Sequence, residues 1–243
     1  MKIDLEKRVH TIPFAAKPSS PKLWQTDDSV CRIDFHVHTN HSIDSTIKPK
    51  DLVSKSRKLG IIPAIADHNT ISSFGYFKSN SFDFFPAEEI CVKEGYDLIG
   101  IYLTEAIPKK TPFREAIDMI REQGALSYLP HMFDKTRRGC SDIALAKKAD
   151  IIEVFNGRCF SSFNKQADNF AELHKKPKGA GSDSHFLFEF GKTYVEIKGD
   201  FSDYGENPKL LLKSLKNAKI VAKNAPIYVR GTTKLVSIVK KFL

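Results

Sequence analysis

The sequence predicts an α/β protein built on a mainly parallel sheet, and two observations carry that reading. Seven short apolar runs recur along the chain, and helical patterns separate most of them. None of the runs approaches the roughly 18 apolar residues of a membrane span. A chain of 243 residues suffices for one sizeable core. One domain is therefore expected over residues 31–243, preceded by an N-terminal extension over 1–30.

The elements follow in order. Residues 1–30 show no strong periodicity, and "AAKPSSPK" reads as an extended lead-in. The strand candidates are "CRIDFHV" (31–37), "IIPAIA" (61–66), "FDFFPAEEICV" (82–92) and "YDLIGIYL" (96–103). They continue with "ALSYLP" (125–130), "DIIEVF" (150–155) and "KGAGS" (178–182). Among the helical patterns, "PKDLVSKSRKLG" places Pro49 in its first turn and stops at Gly60. "TPFREAIDMIREQG" repeats the device with Pro112 and Gly124, and "SDIALAKKA" and "NKQADNFAELHKK" follow. The C-terminal "KLVSIVKKFL" has the pattern of a basic amphipathic helix and is expected to pack on the outside of the sheet. Periodicity does not choose between a doubly wound sheet and a closed barrel.

Composition narrows the class. The net charge of +9, from 38 basic and 29 acidic residues, favours anionic partners, either phosphorylated metabolites or nucleic acid. Charges scattered through the first residues leave no unbroken apolar core for a signal peptide, so a cytoplasmic protein with no membrane partner is expected. Cys31, Cys91, Cys140 and Cys159 are spread without a C-x-x-C pair and read as reduced thiols. No phosphate-cradling P-loop, dinucleotide fingerprint or G-x-S-x-G elbow is present, which argues against NTPase, dinucleotide and serine hydrolase chemistry.

The chemistry gathers at the C-terminal ends of the strands, where α/β proteins of either architecture place their sites. Strand one ends in His36 and His38, followed by Asp44; strand two ends in Asp67 and His68. Strand three carries Glu88 and Glu89, strand five runs into His131, and strand six into Asn156 and Arg158. Strand seven leads to Asp183 and His185. In H-x-H the two imidazoles share one face of a strand and suit two corners of one metal ion. D-x-H at Asp183 and His185 repeats the arrangement with a mixed pair. Asp67 and His68 diverge in extended backbone, so one faces the site while the other orients a neighbour. A lone histidine at a strand end is usually structural, but five such clusters at successive strand ends are not. Mixed imidazole and carboxylate ligands suit Zn²⁺, Mn²⁺ or Fe²⁺. The candidates exceed what one catalytic ion takes, so two or three divalent ions are implied, a centre suited to phosphate ester hydrolysis.

These residues resemble the PHP (polymerase and histidinol phosphatase) family of metal-dependent phosphoesterases. The likeness rests on "DFHVHTNHSIDS", "IADHNT", "FPAEEI", "LPH", "IEVFNGR" and "GSDSH", in the family's order, between Arg32 and Tyr194. The resemblance implies a distorted (β/α)7 barrel, TIM-like, with a trinuclear metal centre. It implies that His36, His38, Glu89 and Asp183 hold a first metal. Glu89 would bridge to a second, held also by His131, and Asp44, His68 and His185 would hold a third. Glu89 rather than Glu88 matches the family pattern. Asp34 and Asp67 become supporting residues that orient the ligands, and His41, at a variable position, is expected to be a rim residue or a substrate contact. One departure stands out: Asp97, in "DLIG", replaces a histidine frequent in the family, which puts full occupancy of the second site in doubt.

Hydrolysis of a phosphomonoester, of a nucleotide or a small phosphorylated metabolite, by a metal-bound hydroxide is the leading expectation. Asp183 or His185 would assist proton transfer, and Arg137, Arg138, Arg158 and Asn156 are the candidate substrate contacts. Two rivals remain: a nuclease acting on single-stranded nucleic acid, suggested by the charge, and a non-catalytic RNA-binding or scaffold subunit.

Overall fold

A computed structural model describes residues 29–242 of the chain. The expected N-terminal extension therefore lies, but for its last two residues, outside the described residues.

All seven expected strands form: β1 (Val30–Val37), β2 (Ile62–His68), β3 (Phe85–Cys91), β4 (Asp97–Ile101), β5 (Leu126–Leu129), β6 (Ile151–Asn156) and β7 (Lys178–Gly181). Two further strands, β8 (Tyr194–Lys198) and β9 (Lys219–Val221), lie beyond β1, giving the order β7-β6-β5-β4-β3-β2-β1-β8-β9. Neighbours β1–β2, β2–β3, β5–β6 and β6–β7 are parallel. Strand β4 runs antiparallel to both β3 and β5. Only residues 92–96 separate β3 from β4, with Gly95 turning at φ 84°, and a parallel crossover needs about a dozen residues.

The sheet nearly closes. Val37 of β1 bridges Ser184, the Asp183 N–H donates to the His36 carbonyl at 2.7 Å, and the His38 N–H to the Ser184 carbonyl at 3.0 Å. The fold is thus the distorted seven-stranded α/β barrel that the resemblance implied. Its interior is filled in layers. Rings from β1, β3 and β5, which are not sheet neighbours, meet across it: Phe35 lies 6.3 Å from Phe85 and 5.7 Å from Tyr128. Gly179 of β7 completes this odd-strand layer, since a Cβ there would stand 2.4 Å from the Tyr128 ring. The layer forms the floor on which the polar residues of the strand ends rest.

Helices α1 (Pro49–Leu59), α2 (Phe74–Ser79), α3 (Phe113–Glu122), α4 (Ile143–Ala146) and α5 (Ser161–Leu173) follow the barrel strands, and α6 (Phe201–Tyr204) and α7 (Pro208–Ser214) link β8 to β9. Helix α1 begins at its proline and ends at Gly60, whose φ of 64° is the left-handed stop that glycine supplies. It buries Leu52 and Val53 against the sheet. Among the described residues no helix is long and apolar enough to cross a membrane.

The C-terminal helix, α8 (Val229–Lys241), corrects one expectation. Its apolar side does not pack on the barrel: Leu235, Ile238 and Val239 are exposed, and Val229 is its one buried residue. Charged contacts hold it to loops at the C-terminal face. Arg230 donates to Asp134 at 2.7 Å and lies 4.0 Å over the Phe160 ring. Lys240 donates to the carbonyls of Asn40, Ser42 and Ser45 at 3.2, 3.1 and 2.6 Å.

Candidate metal centre

The strand ends bring the expected ligands together. His36 and His38 sit side by side on β1, ring centroids 5.0 Å apart, and the Nε2 atom of each lies 3.4 Å from Glu89 Oε2. Asp183 Oδ1 faces the same two nitrogens at 3.8 and 3.6 Å. The other Glu89 oxygen, Oε1, lies 2.9 Å from His131 Nε2, with Asp97 Oδ2 4.0 Å from that nitrogen. On the far side His38, His68 and His185 converge, with Asp44 Oδ2 3.5 Å from His68 Nε2 and 3.2 Å from His185 Nε2. Glu89 therefore divides its two oxygens between neighbouring pockets, as a bridging carboxylate does.

The donor set fits divalent metal ions. His36 Nε2, His38 Nε2, Asp44 Oδ1, Glu89 Oε2 and Asp183 Oδ1 are all buried and lack a hydrogen-bond partner among the described residues. Buried polar atoms are nearly always paired. Five unpaired ones on five expected ligands, four of them facing one another at 3.4–3.8 Å, are what a cation would satisfy. Two of the candidate ligand residues also hold positive φ, His131 at 31° and Asp183 at 55°, a conformation uncommon for non-glycine residues.

The carboxylates set a negative field over the centre, of the kind a cation neutralises. Burial disfavours a charge on His36, yet Asp183, Glu89 and Glu153 push its pKa well above the usual imidazole value. His68 is raised in the same way, by Glu89 and Asp44 against burial. His38, deeper among like neighbours, falls to about 3 through burial and then the charges of His185 and His68. The Asp183 carboxyl resists burial and is held well below the ordinary carboxylate range by Arg137 and His36. Burial, then Glu89, lifts Asp97 to about 6.

The supporting residues are pinned as a carboxylate should be. Asp67 accepts from the Thr39 N–H at 2.6 Å, from Thr39 Oγ1 and Ser73 Oγ at 2.7 Å, and from Ser42 Oγ at 2.8 Å. It thereby fixes the loop that carries Asp44. Asp34 accepts from the Ser182 N–H at 2.8 Å and from the His36 N–H at 3.2 Å, tying β1 to the segment after β7. His41 stands on the exposed rim against Ser72 at 2.8 Å, outside the cluster.

The four candidate substrate contacts separate. Arg137 bonds Asp183 and, at 2.9 Å, Asn156 Oδ1, at the edge of the centre. Arg138 pairs with Asp97 at 3.3 Å. Asn156 is fully buried and donates to Glu153 at 2.8 Å and Asp183 at 2.9 Å, so it orients ligands. Arg158 is only 4% exposed and spends its guanidinium on Glu189 at 2.8 and 2.7 Å. With Nε and Nη2 spent on Glu189 in the interior, Arg158 is placed to brace the loop after β7: Glu189 in turn accepts from the His185 and Phe186 N–H groups at 3.0 and 2.9 Å.

Sequence reasoning missed Glu153. This buried carboxylate receives His36 Nδ1 at 3.2 Å, Tyr128 OH at 3.1 Å, the His131 N–H at 2.7 Å and Asn156 Nδ2. Because an ionised carboxylate only accepts, His36 must carry its proton on Nδ1, which leaves the Nε2 lone pair for a metal. Its signal lay in "IEVFNGR", but a bulge in β6 between Glu153 and Phe155 brings Glu153 and Asn156 to one side, which strict alternation forbids.

Comparison with known proteins gives the class. Residues 161–220 match the family described as PHP-associated. An uncharacterized Methanocaldococcus jannaschii protein, MJ0417, is 38% identical over 175 residues, 68% of this chain and 70% of that protein. A two-domain protein from Bacteroides vulgatus containing a predicted PHP-like metal-dependent phosphoesterase shares the fold, with a TM-score of 0.66 at 14% identity over 86% of this chain and 70% of that one. The lesion-specific endonuclease EndoQ of Pyrococcus furiosus does so with a TM-score of 0.59 at 17% identity, over 79% of this chain and 58% of its own. The chain belongs to the PHP family.

Proposed function

We propose that this protein is a metal-dependent hydrolase of phosphomonoesters, acting on a nucleotide or a small phosphorylated metabolite. The observation that carries the reading is the set of buried, unpartnered ligand atoms of His36, His38, Asp44, Glu89 and Asp183 beside the half-buried guanidinium of Arg137. His36, His38, Glu89 and Asp183 would hold one ion, Glu89 and His131 another, and Asp44, His68 and His185 a third. Bound divalent ions, Zn²⁺, Mn²⁺ or Fe²⁺, supply Lewis acidity toward phosphoryl oxygens and an acidified water at neutral pH.

The chain's own residues do the rest. Arg137, part-exposed at the edge of the centre, would offer an incoming phosphate the planar fork that suits a phosphoryl group. Asp183 has both oxygens engaged, one with the histidines and one with Arg137 and Asn156, so it stays an acceptor. His185 donates Nδ1–H to the Asp183 carbonyl at 2.9 Å and turns Nε2 toward Asp44. That Nε2 serves either the third ion or, without it, a proton shared with Asp44 for a leaving oxygen, and not both at once.

Nuclease action on single strands is the second reading, favoured by the +9 charge and by the likeness to an endonuclease. A panel of sugar phosphates, nucleotides and short oligonucleotides, run with each metal and a chelator control, separates the two. The expected result is turnover of monoesters only, abolished by chelator and by His36→Ala, with the fold intact by circular dichroism. Normal turnover by metal-free His36→Ala protein would sink the reading. Cleavage confined to oligonucleotides, with a steep salt dependence, would replace it by the second.

A further inference from the structure

The pockets of this centre are not chemically alike. Around His38, His68 and His185 three imidazoles converge with Asp44, and Glu89 Oε2 reaches the same group, 2.9 Å from His68 Nδ1. Around His131 the balance is reversed: Glu89 and Asp97 supply two carboxylates against one imidazole. Imidazole-rich sets favour zinc and iron, whereas carboxylates shift relative preference toward manganese. The competing cation of the His131 pocket is also the more exposed one. Arg138 places a cation on Asp97, at 3.3 Å from Oδ1, as Arg137 does on Asp183 of the His36 pocket, but the Arg137 side chain is only 18% exposed. The Arg138 side chain is 52% exposed and so is able to swing into solvent when an ion enters.

Resting on the reading of this cluster as a metal centre, we propose that Glu89, Asp97 and His131 form an exchangeable Mn²⁺ site, with Arg138 as its competing cation, beside pockets with more imidazoles that retain Zn²⁺ or Fe²⁺. The centre is then of mixed metals, with its weakest position filled from the surrounding pool. Asp97 is the residue that sets the preference, because it is the only member of the pocket not shared with another and not an imidazole.

The test measures binding, not turnover. Chelator-stripped full-length protein receives Zn²⁺ stepwise up to two equivalents, then excess Mn²⁺. Electron paramagnetic resonance counts the bound manganese, and nitrogen modulation of its spin echo counts coordinated imidazoles. The expected result is one Mn²⁺ carrying the signature of a single imidazole. Asp97→Asn lowers the Mn²⁺ affinity at least about tenfold, Asp97→His adds a second nitrogen and shifts the site toward zinc, and Arg138→Gln raises Mn²⁺ affinity. Two or more imidazoles on manganese in the wild type would overturn the proposal. So would Mn²⁺ affinity unchanged in both Asp97→Asn and Arg138→Gln; the latter change is at the surface and does not threaten folding. A protein that binds manganese as stated but hydrolyses no phosphomonoester fails only the earlier reading.

Discussion

Glu153 gathers four donors on two oxygens in a place where no water reaches, and its removal should be felt through what it orients. Glu153→Gln would put an amide N–H toward donors that have nowhere else to turn, and would free His36 to take the other tautomer. We expect metal affinity to fall by about 10- to 100-fold, as when other partners of ligating histidines are lost. Metal content after dialysis checks this, with the melting temperature of the metal-free variant separating positioning from mere folding. Glu88, next to a ligand but on the opposite face of β3, makes a different prediction. It accepts only the Ile107 N–H, at 2.8 Å, its other oxygen has no partner, and burial lifts its pKa to about 7. The folded state therefore prefers the protonated form. Stability from this group is complete below the unfolded value near 4.5 and is lost as pH rises through about 7. Glu88→Gln keeps the acceptor and removes the charge, so it should stabilise the protein by about 1–3 kcal/mol at pH 8 and do little at pH 4.5. Denaturant melts at the two pH values decide it, and equal effects at both would count against a buried acid.

Among the elements, α8 shows how little of an anchorage a sequence discloses. Its amphipathic pattern is plain, but the contacts that hold it are two cations ten positions apart, about 15 Å along the helix. Arg230 grips the loop after β5, and Lys240 spends its three N–H donors on three carbonyls of the loop that carries Asp44. The change Lys240→Met should make helix α8 more susceptible to protease while the barrel's own stability moves by less than about 1 kcal/mol. A barrel that melts with the helix would show the two to be one cooperative unit. The barrel strands, by contrast, were legible because buried parallel strands read as apolar runs bounded by turn residues. The reversal of β4 was readable in principle from the short 92–96 connection. Strand β9, three residues long, left no pattern to find, and the bulge in β6 hid Glu153 for the reason already given. The clustered histidines and carboxylates were the most legible part of the candidate site, since such residues have few other reasons to recur at successive strand ends. Arg158 misled because its partner Glu189 is 31 positions away, a pairing that no local spacing announces.

At the scale of the whole molecule the seam of the barrel coincides with the centre. Strands β1 and β7 meet not through a full ladder but through the Val37–Ser184 bridge and the amides of Asp183 and His38. His36 and His38 stand on one lip of that seam, Asp183 and His185 on the other. An ion gripping both lips would act as a clasp, so that gaining or losing metal is also a change in how firmly the ring is shut. Hydrogen exchange should report this directly. Chelation is expected to speed exchange at the amides of His38 and Asp183 by at least about tenfold while those of β2 and β3, on continuous ladders, stay protected. Equal rates with and without metal would mean that the ring closes without its clasp. If the clasp is real, the protein's supply of metal sets the lifetime of its closed architecture as well as its chemistry, and starvation for metal would be sensed first as an opening ring.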